Sequence, residues 1–204
     1  MEDAHRAAKT FDSIANHFDK TRNRPWKEVE KFLEKTSGKT IDIGCGNGRH
    51  SEVAVKLNHE IVCLDASLKL LRIAKGKLKN KTEYVRSGIK NMPFKSESFD
   101  NVLYIAAIHH LKNGRIKSLK ETRRILRSKG KMIVSSWARE NERWDIPEEK
   151  QDVIVPWTRE DGKKIERFYH LYRLEELKND VENAGFKLED YFHSKGNNYV
   201  IAEK

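Results

Sequence analysis

The segment Asp42-Ile43-Gly44-Cys45-Gly46-Asn47-Gly48 has the residue types needed to hold a small charged ligand against bare backbone. Glycines at alternate positions let the chain turn tightly and approach a ligand closely, because no Cβ intervenes. Counted from Gly44, a dinucleotide-binding loop needs its third glycine where Arg49 stands. Asp42 argues the same way, since a carboxylate beside the glycines repels a pyrophosphate and attracts an ammonium group. Asp65 closes the apolar run Ile61-Val62-Cys63-Leu64, where a strand-end acid can accept both hydrogen bonds of a ribose diol. A ligand with a cationic amino acid and a ribose suits both acids, and S-adenosylmethionine is that ligand. Asp42, Gly44, Cys45, Gly46, Gly48, Asp65 and Ala66 are its expected contacts. Cys45 reads as a small filler of the loop, and Cys63 as core.

Such a loop works only at the end of a strand, and the surrounding pattern supplies the strands. Runs at Lys39 to Ile43, Glu60 to Leu64, Thr82 to Val85, Asn101 to Ile105 and Lys131 to Ser136 read as strands. Between them fall helices from about Arg49 to Leu57, from a Ser67 cap to about Leu78, and from about Gly114 to Arg127. The last of these is expected to stop near Lys129-Gly130. The first 36 residues read as two helices broken at Thr21 to Pro25, with Pro25 suited to the first turn of the second. Near the C-terminus a helix from Leu174 to Ala184 stops at Gly185. Strands at Lys187 to His193 and Asn198 to Ala202 follow, with a link too short for a helix. The alternation predicts an α/β fold with a mostly parallel seven-stranded sheet, helices on both faces and an antiparallel C-terminal hairpin. Residues 1–204 are expected to form one domain. Within it, 138–173 shows little periodicity and much charge and aromaticity, and reads as an irregular substrate-recognition insertion.

Composition narrows the partners. The chain carries 41 Lys and Arg against 31 Asp and Glu, a net charge of +10. That balance suits a polyanion such as RNA, or a Lys/Glu-rich surface of the thermophilic kind. No apolar run is long enough to span a bilayer, and the N-terminal MEDAHRAAKT has no hydrophobic leader core. Two cysteines make neither a disulfide framework nor a zinc site, so no metal and a reducing cytoplasm are expected.

The motifs DIGCGNG, VCLDAS, NMPFKSESFDNVLYIAAIHHL and RRILRSKGKMIVSSW, over residues 39–137, closely resemble those of class I methyltransferases. That resemblance implies a Rossmann-like domain, and it adds Ile89 and Ala106 to the expected cofactor contacts. One position departs from the pattern. Gly88 stands where the family commonly has an acid facing the adenine amino group, which shifts adenine recognition to backbone near Ile89 and to apolar walls. Neither an Asn-Pro-Pro-Tyr loop for amino groups nor a Pro-Cys nucleophile follows the fourth strand, leaving an oxygen or an activated carbon as acceptor.

Trp137-Ala138-Arg139, Val155-Pro156-Trp157 and Arg167-Phe168-Tyr169-His170-Leu171-Tyr172-Arg173 resemble a narrower family, the tRNA wobble-uridine carboxyl methyltransferases. The same domain occurs at the C-terminus of the AlkB-like tRNA-modifying homologue. The resemblance implies esterification of 5-carboxymethyluridine at position 34 of the anticodon loop. A carboxylate is already ionised at neutral pH, so no base is needed. Arg167 is the expected carboxylate clamp, with His109 or His110 beside the methyl group; strand alternation would send only one of that pair into the site. Trp137, Arg139, Trp157, Tyr169, His170, Tyr172 and Arg173 are the expected substrate contacts. The resemblance also implies a small zinc-binding activator subunit, for which the edge run Thr82-Glu83-Tyr84-Val85 offers a pairing strand. Two other readings stay open: a quinone or fatty-acid methyltransferase, which predicts an apolar lid, and a non-catalytic RNA-binding relative.

Overall fold

The computed structural model describes residues 2–204. Helix α1 (Glu2–Thr21) leads into α2 (Lys27–Glu34), whose Val29, Phe32 and Leu33 face inward. Pro25 precedes the Trp26 N-cap and so stands just outside the helix it was expected to begin. Strand β1 (Lys39–Ile43), α3 (Arg49–Lys56), β2 (Glu60–Asp65), α4 (Leu68–Leu78) and β3 (Thr82–Arg86) then alternate. Ser67 caps α4 by accepting the Leu70 N–H, as its position suggested. Next come β4 (Phe99–Ile105), a single 3-10 turn (Ile108–His110), α5 (Arg115–Ile125) and β5 (Leu126–Trp137).

The seven-stranded sheet runs β3-β2-β1-β4-β5-β9-β8, closed by α6 (Leu174–Asn183), β8 (Lys187–Ser194) and β9 (Asn197–Glu203). Only β9 runs against its neighbours, so the expected mostly parallel sheet with an antiparallel C-terminal hairpin is present. Alternation along β4 shows why helices cover both faces. Val102 and Tyr104 join Leu119 and Ile125 of α5 and Leu177 and Val181 of α6 in one core. Leu103 and Ile105 join Val29, Phe32 and Leu33 of α2 and Ala54 of α3 in the other.

Two expectations need correction. The helix before β5 ends at Ile125, several residues before Lys129-Gly130, because Leu126 already pairs with Phe99 of β4. Gly130 lies within the strand, where a Cβ would fall 2.9 Å from the Asp100 carbonyl oxygen. Residues 138–173 are not irregular throughout. They contain an antiparallel pair, β6 (Asp152–Thr158) and β7 (Lys164–His170), in register from Asp152 opposite His170 to Thr158 opposite Lys164. Pro156 and the charges obscured the period, yet a two-stranded ribbon tolerates proline because half its N–H groups face away from the partner.

Candidate active site

The carboxyl ends of β1, β2, β3 and β4 open into one cavity of about 580 Å³, roofed by α1 and β7. Gly44 and Gly46 line its floor in left-handed conformations, φ 72° and 56°. A Cβ on Gly44 would meet the Ala107 Cβ at 2.5 Å, so only glycine permits this packing. Asp65 faces the same space. Its carboxylate accepts N–H bonds from Gly46 (2.9 Å) and Ser67 (2.8 Å), and burial pushes its pKa up to about 6. Cys45, Ala66, Ile89 and Ala106 also line the wall, with Gly88 and Asn91 beyond the end of β3. Ala106 takes φ 52°, an uncommon conformation for a residue with a side chain, which turns the chain from β4 into the 3-10 turn.

Asp42 and Gly48 stand elsewhere. Asp42 is buried and accepts the Ser51 hydroxyl at 2.6 Å, tying β1 to the first turn of α3; burial pushes its pKa up to about 6. Gly48 packs against α4, where a Cβ would lie 3.0 Å from that of Ala74. Both shape the loop from behind and are absent from the cavity wall.

The two histidines do not alternate, because they lie in a 3-10 turn and not in a strand, and both line the cavity. The Trp137 N–H donates to His109 Nδ1 at 3.0 Å. Burial and its cationic neighbours keep His109 far below its ordinary pKa, so the neutral ring carries its proton on Nε2. His110 is the mirror case. Its Nδ1 contacts the Phe168 carbonyl at 3.1 Å, which can only accept, and burial holds its pKa to about 4. Its Nε2 therefore keeps a lone pair.

Strand β7 brings Arg167 and Tyr169 to the cavity, two residues apart on one face. The Arg167 guanidinium lies over the Trp157 ring at 4.7 Å and donates to the Tyr169 hydroxyl. Its Nε is buried without a hydrogen-bond partner. Tyr169 stacks on Trp137 with ring centroids 4.0 Å apart and planes 5° from parallel. Arg143, which the sequence reading missed, covers Trp137 and Trp144 at 4.2 Å each. Trp157 lies behind Arg167, its indole N–H donating to His17 Nδ1 at 3.1 Å.

The remaining expected substrate contacts face away from the cavity. His170, on the other face of β7, is clamped by Asp152 (2.7 Å) and Glu176 (2.8 Å). Tyr172 is fully buried and donates to Asp180 at 2.9 Å. Arg139 donates to the carbonyls of Ile146, Pro147 and Lys150, and Arg173 to Glu148. These four hold the hairpin and its approach in place. The sequence reading also passed over Phe11, Phe18 and Arg22 of the N-terminal stretch and Trp26, Arg49 and His50, all of which line the cavity. Only the placement of Arg49 directly after the glycine loop signalled any of them.

The wall fits S-adenosylmethionine. Bare glycine backbone and a ribose-ready carboxylate lie side by side, and two buried nitrogens, His50 Nε2 and Arg167 Nε, await a partner. The comparisons agree. A methyltransferase domain family matches residues 41–134. The fold is shared with a S-adenosylmethionine-dependent methyltransferase of Methanosarcina mazei, at TM-score 0.74 and 16% identity over 89% of this chain and 98% of that one. It is shared also with a structure of the complex between the Haloferax volcanii Trm112 methyltransferase activator and a methyltransferase, at TM-score 0.71 and 14% identity over 97% and 96%. A Schizosaccharomyces pombe protein named tRNA (carboxymethyluridine(34)-5-O)-methyltransferase is 35% identical over 96% of this chain and 95% of its own. With the glycine loop, Asp65 and the Arg167 roof in one cavity, the chain is an S-adenosylmethionine-dependent methyltransferase and belongs to the tRNA (carboxymethyluridine(34)-5-O)-methyltransferase family.

Proposed function

We propose that this enzyme esterifies the carboxylate of 5-carboxymethyluridine at position 34 of tRNA. The observation that carries the reading is Arg167, a cavity-lining guanidinium with an unpartnered Nε and no ion-paired carboxylate among the described residues. S-adenosylmethionine supplies an electrophilic methyl group when Gly44, Gly46, Asp65 and Ala66 hold it. The acceptor carboxylate arrives ionised, so the protein's work is positioning. Arg167 and the His109 Nε2–H supply donors for its two oxygens. His110 stays neutral and leaves the carboxylate's negative charge undisturbed. Tyr169, stacked on Trp137, and Arg143 form a flat cationic rim for an unstacked base. We assign 138–173 as the substrate-recognition segment of a single domain. A quinone or fatty acid finds a poor match in a cavity lined by Arg22, Arg49 and Arg167.

The product decides this reading. Labelled tRNA should lose its methyl group in mild alkali, since an ester hydrolyses where methyl groups on carbon, nitrogen or ribose persist. Turnover at saturating cofactor should be flat from about pH 6 to 8 because the acceptor ionises near pH 4. None of the three cavity histidines, His50, His109 and His110, titrates in that window, given the burial that holds each low. Alkali-stable label, or turnover rising with pH, rules the ester out.

A zinc-binding activator subunit belongs to the same proposal. Strand β3 forms one edge of the sheet, pairing only with β2. Its free side can take a strand from another chain. Co-expression should raise soluble yield and activity, and Thr82→Pro in β3 should abolish the gain. Full activity from the isolated, monodisperse chain removes the subunit from the scheme. Among the described residues no helix is long and apolar enough to cross a membrane, and we place the enzyme in the cytoplasm with its tRNA.

A further inference from the structure

Two further guanidiniums stand beside Arg167 at the acceptor end. Arg22 lies over the Trp157 ring at 5.3 Å, the same ring that backs Arg167. Asn47 of the glycine loop fixes the Arg22 backbone by donating to its carbonyl at 2.8 Å. Arg143 is not part of the cavity wall, but it covers Trp137, which is. One run of contacts leads from Arg22 through Trp157 to Arg167, and on through Tyr169 and Trp137 to Arg143.

The outer two cations differ from the central one in what they can reach. Both are exposed, whereas Arg167 is buried. No described carboxylate lies within ion-pair distance of either guanidinium. The Arg143 guanidinium makes no hydrogen bond among the described residues, so the Trp137 and Trp144 faces hold its fork with every N–H unspent. Desolvation and the Arg22 charge lower the pKa of both Arg143 and Arg167, so the three charges feel one another. An anion at each relieves that repulsion.

Size decides which anion reaches them. A cavity of about 580 Å³ that holds the cofactor and one unstacked base leaves a polynucleotide backbone at its mouth. A nucleotide whose carboxylate lies at Arg167 carries one phosphodiester on its 5′ side and one on its 3′ side. In the run of contacts, one exposed cation stands on either side of Arg167. We infer that Arg22 and Arg143 bind the two phosphodiester groups flanking the acceptor uridine. The inference rests on the tRNA reading and adds a backbone subsite to it.

Fluorescence anisotropy tests this with the full chain, saturated with S-adenosylhomocysteine, and an anticodon-loop RNA that has plain uridine at position 34. Arg22→Met and Arg143→Met should each weaken binding about threefold or more. Each should also reduce the slope of log affinity against log salt by about 0.7, the increment for one phosphate of a single strand. Arg143→Lys should keep the parental slope, because charge sets counter-ion release. A second RNA, with uncharged methylphosphonates on both sides of position 34, should bind the parent more weakly, and neither Met variant should weaken it further. S-adenosylhomocysteine should bind every variant within about twofold of the parent, since the cofactor floor is untouched. Weaker binding at an unchanged slope means that these side chains stack on bases, and overturns the proposal. Equal weakening of both RNAs also overturns it, because the phosphates contacted then lie elsewhere. A parent that ignores loop RNA removes the tRNA reading itself, whereas variants that match an RNA-binding parent remove only this subsite. No methyl group is transferred in the titration, so alkali-stable product leaves its result standing.

Discussion

Arg167→Lys is expected to lower turnover on tRNA at least about tenfold while leaving S-adenosylhomocysteine affinity within about twofold. Lysine keeps the charge but loses the planar fork and the stacking surface. In the parent the guanidinium spans the gap between Trp157 and Tyr169, 4.7 Å and 5.0 Å from their ring centres. That sandwich fixes the plane of the guanidinium, whose Nη1 donates to the Tyr169 hydroxyl and whose Nε is buried without a partner. A flexible ammonium placed there has no equivalent constraint and reaches the carboxylate in several geometries. Misplacing one charge-assisted bond of about 1.5–3 kcal/mol corresponds to roughly ten- to a hundredfold in rate. The division between constants matters. An interaction made with the bound acceptor and the transition state alike would raise KM, whereas a positioning role lowers kcat. Unchanged kcat with a raised KM would leave Arg167 as a docking contact, and no change in either would remove it from the site.

Asp65→Ala should weaken S-adenosylmethionine binding about tenfold or more, by two routes. The direct one is loss of an ionised acceptor for ribose hydroxyls, worth roughly 1.5–3 kcal/mol. The indirect one is the loop, because the same carboxylate accepts the Gly46 and Ser67 N–H bonds that hold the floor and the α4 cap in register. Asp65→Asn keeps one acceptor oxygen and should fall between parent and alanine. A pH signature distinguishes the charge from the shape. Burial raises the Asp65 carboxyl to about 6, so it is ionised above that pH and neutral below it. Hydroxyls that donate to a carboxylate favour the ionised form, so cofactor affinity should decline as pH falls through about 6 while turnover at saturation stays level. In Asp65→Asn that decline should be much reduced, and the remainder belongs to Asp42, raised to about 6 by its own burial. Calorimetry giving parental affinity in a folded alanine variant would take Asp65 out of the ribose site.

What the amino-acid order determined by itself is whatever depends on near neighbours. The glycine loop, the acid that ends β2, the Ser67 cap and the alternation of apolar strands with amphipathic helices are local patterns. They specify the parallel sheet, its C-terminal hairpin and the cofactor floor because period and turn chemistry act over a few residues. The sequence motifs around Trp157 and Tyr169 likewise marked the family. The tertiary structure decided which residues reach the cavity. Arg22, Trp26 and Phe11 arrive from the N-terminal stretch, far along the chain from Arg167 and Tyr169, and no spacing rule links them. Strand alternation in β7 turned Arg167 and Tyr169 inward and His170 outward, a distinction invisible until the hairpin register was known. Tyr172 and Arg139 carry the right chemistry for RNA, yet their partners, Asp180 for one and three backbone carbonyls for the other, consume it. The histidine pair shows the reason most plainly. One strained residue, Ala106, bends the chain out of the strand at its end, and a 3-10 turn puts two adjacent rings into one cavity with opposite tautomers. Side-chain direction and protonation follow from the backbone path and from distant hydrogen-bond partners, and neither is a property of the residue type.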